Sequence, residues 1–434
     1  MKNSEVVSID LKHIWHPCTQ MKDHETLPLI PIKSAKGVWL EDFDGNRYID
    51  GISSWWVNLF GHSNEYITKK LSKQANELEH VLLAGFTHKP AVTLAQRLSK
   101  ITPGNLNKVF FADNGSSAVE VALKMSYHAH LNRGENRPLF LSLTNSYHGE
   151  TIGALSVGDV ELYKKTYEPI LIKSIQTPVP KDRSKEAAYK AIDKLKEILK
   201  TKGKKISAMI VEPLVQCAGY MHMYDPIYLK LAIELCKSYN IHFIADEIAV
   251  GFGRTGTMFA CEQAGIVPDF MTLSKGLTGG YMPLAVVLTN DEIYNAFYCD
   301  YLEYKAFLHS HSYTGNPLGC SCANAVLDIF ENEDVLESNR KKASWMEELL
   351  KPFKSLENVK DVRQTGMIAA VELKGYKPED RVNLKIFEFC LKNGVFVRPL
   401  SHVVYFMPPY IITYEEMSKM IKTVYDAIKI ELKF

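Results

Sequence analysis

From about Tyr66 to Phe330, short apolar runs alternate with longer stretches whose apolar residues recur at helical spacing. Val109-Phe110-Phe111 and residues 139–143, 208–211, 241–244, 271–273 and 284–288 are continuous enough in apolar character to predict buried strands. Residues 116–130 and 226–239 lie between them and carry the helical period. Strands alternating with helices predict an α/β fold, a mainly parallel sheet flanked on both faces by helices. Ahead of it, two short strands surround Asp44-Gly45-Asn46, the turn chemistry of a hairpin. Residues 185–205 mix Lys and Glu with Ala, Ile and Leu at helical spacing, which predicts a solvated amphipathic helix rather than one that binds nucleic acid. Beyond Phe330 the texture changes. Helices over 334–352 and 381–393, strands over 367–373 and 395–398 and a closing helix from Thr413 predict a smaller α+β unit. Two domains are therefore expected: a large one over 56–330, and a small one assembled from 1–55 and 331–434.

Charge adds little. The chain has 51 Lys+Arg against 50 Asp+Glu, a formal balance of +1, which argues against nucleic acid or an acidic membrane surface as the main partner. The eight cysteines are scattered, and no Cys-x-x-Cys pair occurs. Cys320 and Cys322 are too close for a zinc pairing and lack a second pair, so reduced thiols in a cytoplasmic protein are expected. No apolar run approaches the roughly 20 residues that span a bilayer. The first residues lack the apolar core of a signal peptide, so none is expected.

Candidate chemistry lies at the strand ends. Asp246 ends one apolar run, and Lys275 follows another, where open α/β sheets place their ligands. Such a pair reads either as a surface ion pair or as the lysine and carboxylate that pyridoxal phosphate requires. Asp113-Asn114-Gly115-Ser116-Ser117 reads strand, polar turn, helix: an anion site or an ordinary cap. Tyr147-His148 follows a third strand and suits either stacking on a flat ligand or the core. Gly251, Gly253 and Gly256 match a dinucleotide loop only in spacing, because no strand leads directly into them. His309 and His311 have no spaced third ligand, and no metal is expected.

Taken in order, Asp113-Asn114-Gly115-Ser116-Ser117, Tyr147-His148-Gly149, Val211-Glu212-Pro213, Asp246-Glu247-Ile248, Gly251 to Gly256, Ser274-Lys275-Gly276 and Tyr313-Thr314-Gly315-Asn316-Pro317 resemble the class III, fold-type I aminotransferases. The resemblance runs from about Ile14 to Pro409. Within the class, His13-Ile14-Trp15-His16-Pro17, Ser53-Ser54-Trp55-Trp56, Arg398-Pro399 and the segment from Val404 to Pro409 are similar to the biotin-pathway branch. That branch aminates 8-amino-7-oxononanoate to 7,8-diaminononanoate, mostly with S-adenosylmethionine as amino donor.

The resemblance implies pyridoxal 5'-phosphate as cofactor and Lys275 as the catalytic residue that holds it and moves the proton. It also implies Asp246 on the ring nitrogen, Ile248 and Tyr147 against the ring, and Gly115 and Ser116 on the phosphate. Ser312 would complete the phosphate site of a neighbouring subunit, which implies a homodimer with shared sites. Trp55, Trp56, Tyr147, Gly315 and Tyr405 would line the substrate pocket, and Arg398 would clamp a carboxylate. Three positions depart from the branch: Cys18 replaces a tyrosine, Glu150 an aspartate and His311 a proline. They leave open the same reaction with lysine as donor. An ω-aminotransferase for other diamines or β-amino acids, and a scaffold that binds the cofactor without turnover, are the remaining alternatives.

Overall fold

The computed structural model describes residues 1–27 and 29–431. Seven strands build its main sheet: β1 (Lys108–Ala112), β2 (Leu139–Leu143), β3 (Ser174–Thr177), β4 (Ile206–Val211), β5 (His242–Asp246), β6 (Phe270–Leu273) and β7 (Ala285–Thr289). Their order across the sheet is β1-β7-β6-β5-β4-β2-β3. Only β7 runs against its neighbours; the other pairings are parallel. Every residue of β4 to β7 is buried, as expected of strands covered on both faces.

Alternation along each strand sends successive side chains to opposite faces. Leu141, Met209, Phe243 and Met271 enter one apolar cluster, while Phe140, Ala208, Ile244 and Phe270 enter the other. Helix α1 (Gly115–Asn132) covers the second face with Ala118, Val119, Ala122 and Met125. Helices α2 (Lys185–Lys202) and α3 (Ile227–Ser238) contribute Leu195, Leu199, Leu229 and Ile233 to the first. The outward face of α2 carries pairs such as Lys190–Glu186, at 2.6 Å, the solvated side that its Lys and Glu predict.

Among the described residues three smaller sheets lie outside this layer, one of them only the two-stranded pairing of Val215–Gln216 with His222–Met223. Ile32–Lys36, Trp39–Asp42 and Arg47–Asp50 run antiparallel, and the hairpin turn is tied by the Asp42 carboxylate, which accepts from the backbone N–H of Asp44 and Asn46. Val395–Phe396 joins that sheet parallel to Arg47–Asp50, so the amino-terminal segment and the carboxyl-terminal part share backbone pairing. Val359–Thr365, Ile368–Leu373 and Val403–Phe406 form the remaining sheet. Among the described residues no helix is long and apolar enough to cross a membrane.

Candidate active site

A cavity of about 390 Å³ opens at the carboxyl ends of β4, β5 and β6, with Trp56, Gly115, Ser116, Tyr147, Asp246 and Lys275 on its walls. The parallel register that pairs Asp246 with Thr272 also brings the end of β6, and Lys275 just beyond it, alongside Asp246. Asp246 is buried. Its Oδ1 accepts from Ile248 N–H at 3.2 Å and Thr272 Oγ1 at 3.3 Å, and its Oδ2 from His148 Nδ1 at 2.7 Å. The other ring nitrogen of His148 is buried without a partner among the described residues. Lys275 reaches the cavity surface with its Nζ 5.1 Å from the Trp56 ring. Enclosure lowers the pKa of its ammonium, against the pull of Asp246, Cys217 and Glu212. A less readily protonated amine is a better nucleophile and proton carrier.

Helix α1 begins at the cavity. The Asn114 side chain caps it by accepting from Ser117 N–H at 3.0 Å, which leaves the first N–H groups, on Gly115 and Ser116, to a ligand. A Cβ on Gly115 would stand 3.1 Å from Ile248 Cδ1, so only glycine lets Ile248 close on the cavity this tightly. Gly149, at φ +119°, is stricter: its Cβ would fall 1.9 Å from Ser116 Oγ. That hydroxyl accepts from Glu150 N–H at 3.2 Å and keeps its own hydrogen to donate.

Two groups escaped the reading of the sequence. His148 has no role of its own in the sequence reading, which leaves the Tyr147-His148 pair between stacking and core; its ring meets the Asp246 carboxylate. Glu212, quoted only as part of a motif, is buried where β4 ends. Its Oε2 accepts from Tyr147 N–H at 2.9 Å and its Oε1 from Cys217 N–H at 3.1 Å, so it fixes the backbone that carries Tyr147. Burial pushes the Glu212 pKa up to about 7, with His148 opposing. The signal that marks Asp246, a carboxylate directly after a run of apolar residues, also marks Glu212.

The rim is built from distant segments. Ser53, Ser54, Trp55 and Trp56 form one left-handed turn, with φ of +52°, +46°, +72° and +74° and none of them glycine. Such backbone costs about 1–2 kcal/mol per residue, and nothing in the sequence announced it. The turn stands Trp56 over Lys275 and presents the exposed Trp55 to Arg398, whose guanidinium lies 5.1 Å from the ring. Arg398 also donates to the Cys18 carbonyl at 2.9 Å. Two of the departures meet here: Glu150 Oε1 accepts from Tyr147 OH at 2.9 Å and stands 3.9 Å from Cys18 Sγ. Burial raises the Cys18 pKa, Glu150 adds to the rise, and Arg398 opposes it. His311 lies apart, 3.8 Å from Asp113 Oδ2.

Four of the expected pocket residues stand off the cavity wall. Tyr405 is buried behind Trp56, whose Nε1–H donates to its hydroxyl at 3.2 Å. Gly315 packs under Leu83 and Phe111, where a Cβ would meet Leu83 Cδ1 at 2.4 Å. Ser312, expected to serve a neighbouring subunit's phosphate site, is exposed in a turn away from this cavity. Arg398 and Trp55 lie outside the wall as well, at the rim.

The residues present fit pyridoxal phosphate. The cavity is of ligand size, the glycine-lined helix start offers N–H and hydroxyl donors to a phosphate, and a buried carboxylate, itself held by three donors, suits a protonated ring nitrogen. The comparisons agree. The family "Aminotransferase class-III" matches residues 20–428. The adenosylmethionine-8-amino-7-oxononanoate aminotransferase of Helicobacter pylori is 54% identical, and the match covers 96% of each chain. The solved structure of the Methanocaldococcus jannaschii enzyme of that name is 36% identical, with a TM-score of 0.94 over 99% of each chain. An (S)-enantioselective omega-transaminase from Thermomicrobium roseum is 28% identical, with a TM-score of 0.95 over 100% of this chain and 99% of its own. The chain thus belongs to the class III aminotransferases and is a transaminase that depends on pyridoxal phosphate.

Proposed function

We propose that this transaminase converts 8-amino-7-oxononanoate to 7,8-diaminononanoate in biotin synthesis, with S-adenosylmethionine as amino donor. One observation carries the reading: adjacent indoles connect the lysine amine to a cation, Trp56 facing Lys275 and Trp55 facing Arg398, each at 5.1 Å. An apolar wall that runs from the reacting amine to a guanidinium suits a long alkyl chain ending in a carboxylate. The names of the 54% and 36% identical relatives support it.

When bound, pyridoxal phosphate supplies an electron sink for the carbon that gains or loses nitrogen. Lys275 Nζ would hold the cofactor and would carry the proton to and from the amine-bearing carbon. Asp246 would keep a proton on the ring nitrogen by its charge, and His148, 2.7 Å away, would orient that carboxylate. Gly115 and Ser116 would bind the phosphate, and Ile248 and Tyr147 would pack against the ring. Trp56 excludes water from the amine, Trp55 guides the chain, and Arg398 takes the carboxylate.

The same reading makes the chain a cytoplasmic homodimer of two-domain subunits. Tyr298, Tyr301, Leu302, Tyr304 and Leu308 are each at least 74% exposed in one stretch that ends beside Ser312, an apolar face suited to a second copy. Ser312 would then serve the neighbour's phosphate site.

The test follows the absorbance of the bound cofactor in the purified holoenzyme. Adenosylmethionine alone should shift the band, and 8-amino-7-oxononanoate should restore it with formation of the diamine. A shift produced by lysine but not by adenosylmethionine would overturn the donor. Restoration by small ω-amino aldehydes, but not by this ketone, would overturn the substrate.

A further inference from the structure

The left-handed turn at Ser53 to Trp56 needs an anchor, because four successive non-glycine residues sit where L side chains resist the backbone. Its own backbone hydrogen bonds are few: Trp56 N–H to Ile52 O at 2.8 Å, and Val57 N–H and Asn58 N–H to Ser53 O at 3.0 and 3.1 Å. Asp50, at the end of its strand and wholly buried, does more. Its Oδ1 accepts from Ile52 N–H at 3.2 Å, where the chain enters the turn, and its Oδ2 from Ser54 Oγ at 2.7 Å, inside it. His62 Nε2 lies 3.0 Å from the same Oδ2, and Asn58 Nδ2 stands 3.2 Å from His62 Nδ1. The far side is tied by Ser53 Oγ, which donates to Met407 O at 2.7 Å.

A buried carboxylate binds two positions of one strained turn and is itself backed by an imidazole. We infer that Asp50, seconded by His62, is a positioning residue: it holds the left-handed turn so that Trp55 and Trp56 keep their places beside Arg398 and Lys275. Through the indoles it sets how well the enzyme grips the long-chain end of its substrate, without touching substrate or cofactor. This deepens the proposed function and rests on its assignment of Trp55 and Trp56.

The anchor and the strain should be coupled, and the test reads that coupling. In the holoenzyme, Asp50→Ala should raise KM for 8-amino-7-oxononanoate at least tenfold while kcat changes less than threefold. The cofactor absorbance band should stay in place, because Lys275 and Asp246 are untouched. The near-ultraviolet circular dichroism of the indoles should weaken. Adding Ser54→Gly to Asp50→Ala should return KM most of the way to its starting value, since glycine adopts the backbone that Asp50 otherwise enforces. A core acceptor with no role in the turn predicts no such rescue, and absence of rescue would overturn the inference. So would an unchanged KM in folded Asp50→Ala. Should that variant not fold, His62→Gln is expected to raise KM threefold to fivefold and to lose that effect when combined with Ser54→Gly; an unaltered KM there counts against the anchor. The dichroism change and its reversal by Ser54→Gly need no substrate, so they test the anchor even if a different ketone is the natural acceptor.

Discussion

The floor of the cavity and its rim are built on different physics. The floor is made where strands end: Asp246, Glu212 and the segment carrying Lys275 are delivered by parallel neighbours whose every residue is buried. The Asp246 carboxylate is held by fixed partners, the His148 ring and the backbone of Ile248. The rim draws Cys18, Trp55, Glu150 and Arg398 from four remote stretches of chain, and Trp55 and Cys18 are exposed. A rigid, dry floor suits chemistry that every transaminase shares, because preorganised charge acts strongly where water is excluded. A looser rim suits choice between substrates, since each contact there is worth about one hydrogen bond in partly wet surroundings.

Floor substitutions should therefore lower turnover, and rim substitutions should change preference. The largest effect is expected for Lys275→Ala, roughly a 10⁵-fold loss of kcat measured by diamine formation, since a catalytic group that acts as a unit with its neighbours is removed. Asp246→Asn keeps the shape but removes the charge facing the ring nitrogen. A kcat loss of roughly 10³-fold is expected, with KM for both substrates little changed. A loss below tenfold would mean that the floor is not preorganised in the way its buried contacts suggest.

The contrast also explains what the sequence revealed. Strand-end chemistry is local: an apolar run followed by Asp or Lys announces both the element and the site, so β4, β5, β6 and the residues after them were legible. The helix that starts at Gly115 was legible for the same reason. Edge strand β3 was not, because Ser-Ile-Gln-Thr lacks an apolar run and pairs on one side only, with β2. The helix Asn3–His13 buries no residue and so leaves no periodic pattern. The tryptophan turn was invisible, since the usual marker of left-handed backbone, glycine, is missing from Ser53-Ser54-Trp55-Trp56. Tyr405 was assigned to the pocket by resemblance, which cannot foresee that a neighbouring indole covers it.

At the rim, Arg398→Ala should raise KM for the keto substrate by roughly 10- to 100-fold, the value of a charge-assisted contact with a carboxylate, with a smaller change in kcat. Cys18 and Glu150 should act together, because the shorter side chain faces the longer one. Restoring the branch's usual residues in a Cys18→Tyr, Glu150→Asp double variant is expected to alter the ratio of kcat/KM for adenosylmethionine over lysine by about fivefold, one hydrogen bond's worth. Each single change should do less, and steady-state kinetics with both donors checks the pair. Equal effects on both donors would move the choice elsewhere, to the neighbourhood of His311.

The smallest effect probes the floor's internal cost. Glu212 and Glu247 are both buried with pKa raised to about 7 from an ordinary 4.5, burial being the main cause in each. A carboxyl whose pKa is higher in the folded protein contributes stability that is full below 4.5 and is lost as the pH rises through 7, because the unfolded chain releases the proton first. His130 and His242 work in the opposite sense. They stack at 4.1 Å, and burial lowers both pKa values, so their contribution is full above about 6.5 and falls as the pH drops below it. The wild-type profile mixes the two trends, and the difference between a variant and the wild type separates them. Glu212→Gln leaves one of two backbone N–H groups without an acceptor, so its melting temperature should be lower at every pH. Between pH 5 and 8, however, its decline should be shallower than that of the wild type by a few degrees. Parallel profiles would show that Glu212 is ionised in the folded protein as it is in the unfolded chain across this range, so that burial does not raise its pKa.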